Sequence, residues 1–180
     1  SYRNESNLGS VRNFGLGILR SQGKFTWLLS DDDILHEEAI DHIYQSLSAN
    51  QEIGFCLVNY FIEKDGLPAV NIDNKDILAN NIREYISATM FSESMISSGI
   101  YRKSLLTEEI LTTKTGGPFQ HMYWISDILQ NHSALVIKVP LFTVVHPGVH
   151  ETRKNANKRE DTTDYYLEAH LDFLKYTSYI

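Results

Sequence analysis

A single cysteine, no long apolar run and too few basic residues to balance the acids limit what this chain of 180 residues can do. Cys56 has no partner for an internal disulfide, which fits a reducing compartment. Its place in the apolar run Ile53-Gly54-Phe55-Cys56-Leu57-Val58 predicts a small packed hydrophobe. No stretch approaches the ~20 apolar residues of a membrane-spanning helix, so no transmembrane segment is expected. No basic start leads into an apolar run with a small-residue cleavage site, so no secretion signal is expected either. The expected setting is cytoplasmic, with the inner face of the membrane and peripheral membrane contact left open. With 16 Lys and Arg against 23 Asp and Glu, the net charge is −7. That argues against a nucleic-acid partner, whose phosphates need a basic surface. An anionic ligand would need a local remedy such as a metal ion.

Internal repeats, low-complexity tracts and a dividing linker are also missing. Apolar and charged fractions of 42% and 22% lie near globular averages. A domain commonly takes roughly 100 to 200 residues, so one domain spanning 1–180 is expected.

Periodicity outlines an α/β chain. Ser10 reads as an N-cap, followed by Val11, Phe14, Ile18 and Leu19 on one helical face and Gly23 past the end. Phe25 to Leu29 reads as a buried strand stopping at Ser30-Asp31-Asp32-Asp33, so the carboxylates fall where open α/β sheets bind ligands. A second amphipathic helix carries Ala39, Ile40, Ile43, Tyr44 and Leu47, with Glu37 and Glu38 in its first turn. A strand from Ile53 to Ile62 then ends at the turn Glu63-Lys64-Asp65-Gly66. Strand, helix and strand in that order predict a parallel or mixed sheet. Leu67 to Asn81 is polar and poorly periodic, Ile82 to Phe91 reads as a short helix and Met95 to Tyr101 as a strand. After Gly116-Gly117-Pro118 come a helix from about Phe119 to Leu129 and one or two strands over Ala134 to Val145, interrupted by Pro140. A charged mobile loop at 147–160 and a C-terminal helix at 161–180, with Leu167, Leu171 and Leu174 on one face, complete the reading.

Three consecutive aspartates repel one another unless a cation or strong donors compensate. Mg2+ and Mn2+ accept hard oxygen ligands, and Mg2+ commonly binds one or two carboxylates together with substrate phosphate oxygens and water. The triplet is therefore a candidate anchor for a nucleoside diphosphate, against the plainer alternative of an acidic turn with Asp33 capping the next helix.

The runs Asn7-Leu8-Gly9-Ser10-Val11-Arg12-Asn13-Phe14-Gly15, Gly23-Lys24-Phe25 and Leu28-Leu29-Ser30-Asp31-Asp32-Asp33-Ile34-Leu35 together resemble the middle of a family 2 glycosyltransferase. The resemblance implies a GT-A (Rossmann-like) mixed sheet flanked by helices, with Asp31 facing the donor ribose and Asp32 the metal that bridges the sugar diphosphate. The DxD form of the motif leaves Asp31 and Asp33 open as the important pair, with Asp33 a further metal ligand. Asn7, Arg12 and Asn13 fall beside the donor. Family members begin with a strand, helix and strand that form much of the base pocket. Little precedes Asn7 here, so the resemblance implies a chain lacking its N-terminal portion.

On the acceptor side the family uses an acidic general base at a helix start. The matching Gly116 to Trp124 segment has no carboxylate there, which makes His121 the candidate base and Asp127 the alternative. At ~100° per residue, Asp127 lies about 240° around the helix from His121, so both cannot face one cleft. Ser97 and Ser98 match the stretch beneath the acceptor site. Trp124, with Tyr123, could stack on an acceptor sugar, although aromatic residues in a helix more often pack in a core. His146 matches a position that some GT-A enzymes turn toward the metal. Arg153, Lys154, Lys158 and Arg159 could close on the departing diphosphate.

The expected activity is inverting transfer of a sugar from a nucleotide-sugar donor, held with Mn2+ or Mg2+, to a glycan or lipid-linked sugar acceptor, in polysaccharide or glycoconjugate synthesis. The rivals are a nucleotidyltransferase, which ordinarily carries a Gly-rich phosphate loop not seen here, and a nucleotide-sugar or glycan-binding module without turnover.

Overall fold

A computed structural model describes residues 3–63, 66–70, 75–89, 95–113 and 120–145. The chain is mixed α/β, with a mixed sheet flanked by helices. Its elements are α1 (Ser10–Arg20), β1 (Phe25–Trp27), β2 (Ile34–Leu35), α2 (Ala39–Ala49), β3 (Phe55–Ile62), β4 (Ile77–Ala79), α3 (Ile82–Thr89), β5 (Gly99–Arg102), α4 (Glu108–Thr113), α5 (Gln120–Leu129) and β6 (Ala134–Val144). Short 3-10 turns at Ile96–Ser98 and Lys103–Leu105 flank β5. Among the described residues no helix is long and apolar enough to cross a membrane.

The strands lie in the order β1-β5-β3-β6-β2, with β4 pairing a separate stretch of β6. β1 and β3 both run antiparallel to β5, and β3 runs parallel to β6. β1, β3 and β6 therefore point the same way, and their C-terminal ends share one edge, called the carboxyl edge below. The last residues of β6 hold β2 through Ile34↔Thr143 and Leu35↔Phe142, whereas its first residues hold β4 through Ala79↔Ala134 and Ile77↔Val136.

Alternation along β3 explains how the sheet is covered. Phe55 and Leu57 point to one face, where they meet Ile18 of α1, Tyr85 of α3, Leu111 of α4 and Trp124, Ile125 and Ile128 of α5. Cys56, Val58 and Tyr60 point to the other, against Ala39 and Ile43 of α2. A strand covered on both faces reads as a near-continuous apolar run, as the Ile53 to Ile62 segment does apart from Asn59.

Several boundaries differ from those expected. Gly9, not Ser10, is the N-cap of α1; its φ of 76° lies in the left-handed region open to glycine, and no side chain caps the helix. β1 stops at Trp27, because the chain then turns to cross the carboxyl edge toward β2. The strand expected from Met95 begins only at Gly99, after a 3-10 turn. The stretch from Leu67 to Asn81 contains β4, whose three residues are too few for periodicity to show. Pro140 does not divide β6, since the ladder with β3 shifts register between Val58↔Ile137 and Tyr60↔Phe142, so its missing N–H interrupts no ladder bond there.

Asn59 fills that irregularity. It is buried, its Nδ2 donates to the carbonyls of Val70 (2.9 Å) and Lys138 (2.7 Å), and its Oδ1 accepts the amides of Tyr60 (3.0 Å) and Val70 (2.9 Å). One side chain thereby satisfies the Tyr60 amide and the Lys138 carbonyl at the shifted ladder, and both backbone groups of Val70 beside it.

Candidate functional site at the carboxyl edge

The aspartate triplet forms the connection from β1 to β2 across the carboxyl edge. Asp31 and Asp32 are exposed, and Asp33 is half buried with Oδ2 out of reach of solvent. The Ser30 hydroxyl donates to Asp32 Oδ1 and fixes that carboxylate. Of the three, Asp31 and Asp32 are thus the ones presented outward.

Both ends of the connection are fastened. Where the chain leaves β1, the Trp27 indole N–H donates to the carbonyl of Ser97 (2.7 Å), and the Ser30 amide donates to Ser97 Oγ (3.0 Å). Past the triplet, the His36 amide donates to the Leu141 carbonyl (3.0 Å). His36 Nδ1 lies 3.1 Å from the Pro140 carbonyl, and Nε2 lies 2.9 Å from Thr143 Oγ1. A carbonyl can only accept, so Nδ1 carries a proton and the ring bridges both sides of the bend in β6.

The N-terminal end of α1 is directed toward the same edge. α1 folds back along β1: Ser21 Oγ lies 2.5 Å from Thr26 Oγ1, and a methyl on Gly17 would sit 3.8 Å from Leu28. Continuing that antiparallel path brings the N-terminal turn of α1, with Arg12 and Asn13, toward the aspartate connection. Asn7, Arg12 and Asn13 are all exposed. Asn7 Oδ1 accepts the Gly9 amide (2.9 Å), and Asn13 Oδ1 accepts from Asn4 Nδ2 (2.8 Å), so each amide keeps its own N–H groups for a ligand.

Topology separates the two expected bases. α5 leads directly into β6 and runs opposite to it, so its first turn lies toward the carboxyl edge and its last turn toward the other. A contact confirms the direction: a methyl on Gly54, just before β3, would lie 2.4 Å from Ile128 Cγ2. Asp127, half buried and accepting from Gln130 Nε2 (3.4 Å), therefore lies at the edge opposite the triplet. His121 lies at the end of α5 nearer the triplet, where it is buried with 4% of its surface exposed.

Trp124 is fully buried and meets Tyr101 edge-on with ring centroids 6.1 Å apart, leaving no ring face open to a sugar. Ser97 and Ser98 are buried as well, and the Ser98 hydroxyl donates to the Met95 carbonyl (2.7 Å). His146 falls outside the described residues, as do Arg153, Lys154, Lys158, Arg159, the loop expected at 147–160 and the helix expected at 161–180.

Among the described residues no group of three or more His, Cys, Asp or Glu side chains could by itself enclose a metal ion. Asp32 fits a more modest demand, since one exposed carboxylate can help to hold a hard divalent cation whose remaining ligands are phosphate oxygens and water.

Sequence reasoning passed over Trp27, Ser30 and His36. Ser30 and His36 flank the triplet so closely that their spacing was the available signal. The partners of Trp27 and His36 lie far along the chain, and no local pattern could supply them. No protein-family model matches the chain, and no curated protein matches it.

Proposed function

We propose that the chain is an inverting glycosyltransferase of the GT-A type, moving a sugar from a nucleotide-sugar donor to a hydroxyl of a glycan or lipid-linked sugar. The observation that carries this reading is the pair of outward carboxylates, Asp31 and Asp32, in the connection that follows β1 at the carboxyl edge, the edge toward which the N-terminal turn of α1 is directed. Open α/β sheets bind ligands outside the carboxyl ends of their strands. Asp31 accepts a hydrogen bond from the donor ribose, and Asp32 would hold Mn2+ or Mg2+. The chemistry such a cation supplies is neutralisation of charge on the leaving diphosphate. Arg12 adds positive charge, and the amide groups of Asn7 and Asn13 donate to donor oxygens. His121 removes the acceptor proton as the acceptor oxygen bonds to the anomeric carbon and the diphosphate leaves from the opposite side, which inverts that carbon.

Calorimetric titration of UDP, GDP and dTDP into the chain, with manganese and with chelator, tests the donor site. The expected result is manganese-dependent binding of one nucleotide that Asp32→Ala abolishes. Absence of binding by all three in manganese, or equal binding by Asp32→Ala, would overturn the reading. The burial of His121 favours a second reading, a binding module without turnover. Release of free sugar or its transfer from a bound donor, lost in His121→Ala, separates turnover from binding alone.

A further inference from the structure

The resemblance puts Ser97 beneath an acceptor, yet its hydroxyl oxygen and its carbonyl are engaged by the connection that carries the aspartates. Its hydroxyl oxygen accepts the Ser30 amide at 3.0 Å, and its carbonyl accepts the Trp27 indole at 2.7 Å. The residue is fully buried, and it sits in the 3-10 turn that opens β5, the strand beside β1. Ser97 is thus held in a buried turn next to the sheet, whereas Asp31 and Asp32 stand on an exposed turn that no strand ladder holds.

We infer that Ser97 is a positioning residue for the aspartate turn, setting the Asp32 carboxylate through Ser30. The path is short. Ser97 fixes the Ser30 backbone, and the Ser30 hydroxyl donates to Asp32 Oδ1. A carboxylate that ligates a cation is commonly oriented by such an outer partner, whose loss weakens metal binding by about 10- to 100-fold. Because the Trp27 bond ends on the same residue, the aspartate turn and the turn before β5 hold one geometry together. The Ser97 side chain is then committed to the donor side and is no acceptor contact. This inference rests on the donor-site reading above for its ligand, whereas the latch itself is a property of the free chain.

The test compares wild type, Ser97→Ala and Trp27→Phe in two measurements. Amide hydrogen exchange read by NMR reports the latch without any ligand. Manganese relaxation of water protons, with and without the nucleotide that binds, reports the carboxylates. In Ser97→Ala the Ser30 amide should exchange roughly fivefold faster or more, with the amides of β3 and β6 unchanged. Manganese affinity should fall by about 10-fold or more. Trp27→Phe keeps the ring and deletes the donor, and should weaken manganese binding in the same direction by a smaller factor; this variant carries the test if Ser97→Ala does not fold. Unchanged Ser30 exchange in Ser97→Ala, or manganese affinity within twofold of wild type in the variants that fold, overturns the inference. Wild type that binds no manganese overturns the donor site and the positioning role together, and the Ser30 exchange then shows whether the latch alone stands.

Discussion

Replacing Asn59 with alanine should cost more than any surface change in this protein, because four backbone groups depend on one amide. The Tyr60 and Val70 amides lose their acceptor, and the Val70 and Lys138 carbonyls lose their donor. A buried polar group left without a partner costs ~1–3 kcal/mol. Tyr60 and Val70 are buried, whereas Lys138 is half buried and its carbonyl can regain water. Counting mainly the buried amides, and allowing some relief from water entering the space, the expected loss is about 3–5 kcal/mol. Domains are commonly stable by only ~5–15 kcal/mol. Urea unfolding followed by circular dichroism should show a large drop in midpoint with an unchanged slope.

Asn59→Asp sharpens the test. It keeps the acceptor for the Tyr60 and Val70 amides but loses both donors and turns a negative charge on two carbonyl oxygens. Its folded-state pKa should rise above the unfolded value, so its stability should be greatest below the unfolded pKa and be lost as pH rises through the folded one. A midpoint for Asn59→Ala equivalent to less than about 1 kcal/mol from wild type would show that the bend in β6 holds without this amide.

Other expectations are more local. Glu84 accepts from the Asn80 backbone amide and from the side chains of Asn80 and Asn81, while the Asn81 side-chain Oδ1 accepts the Glu84 amide and caps the start of α3. The Asn80 amide bond, first among these contacts, holds the Glu84 carboxyl below its ordinary value. Its stabilisation is present above the unfolded pKa and lost as pH falls through the folded one, so acid melting curves should lose that component in Glu84→Gln. Asn81→Ala should cost about 1 kcal/mol as a lost helix cap, and no change in melting temperature would refute the cap. Gly54→Ala should cost about 1–3 kcal/mol by overpacking, because the new methyl would lie 2.4 Å from Ile128 Cγ2 and 2.8 Å from His132 Cβ; a neutral result in urea unfolding would mean that α5 moves aside freely. Burial pushes the Cys56 thiol well above its ordinary value, with the Asp76 carboxylate adding to the effect. A thiol reagent should therefore titrate it only on unfolding, and reaction at the rate of a free thiol in the native protein would refute the packing.

Local patterns announced the largest elements. β3 declared itself by a run rich in apolar β-formers, broken only by Asn59, because both of its faces are covered. α1, α2 and α5 declared themselves by helical spacing of their core residues, with boundaries close to those observed. β2 and β4 did not, since strands of two and three residues exist only through their pairing with β6. The 3-10 turn before β5 was equally hidden, its bonds to Trp27 and Ser30 reaching a distant connection.

The candidate site divides along the same line. The aspartate triplet and its place after a short apolar strand were legible from residue types alone, because charge repulsion and a sudden end to apolarity are local properties; that β1 is an edge strand with only Thr26 buried, rather than a buried strand, was not. The edge that each candidate base occupies was not, because it follows from the direction in which α5 returns to β6. Helical spacing could say only that His121 and Asp127 face different ways. Ser97 as partner of the aspartate turn, and Asn59 as the plug in the β3–β6 ladder, were likewise decided by the tertiary structure. Hydrogen bonds between residues far apart in the chain depend on strand order and register, which no periodicity encodes.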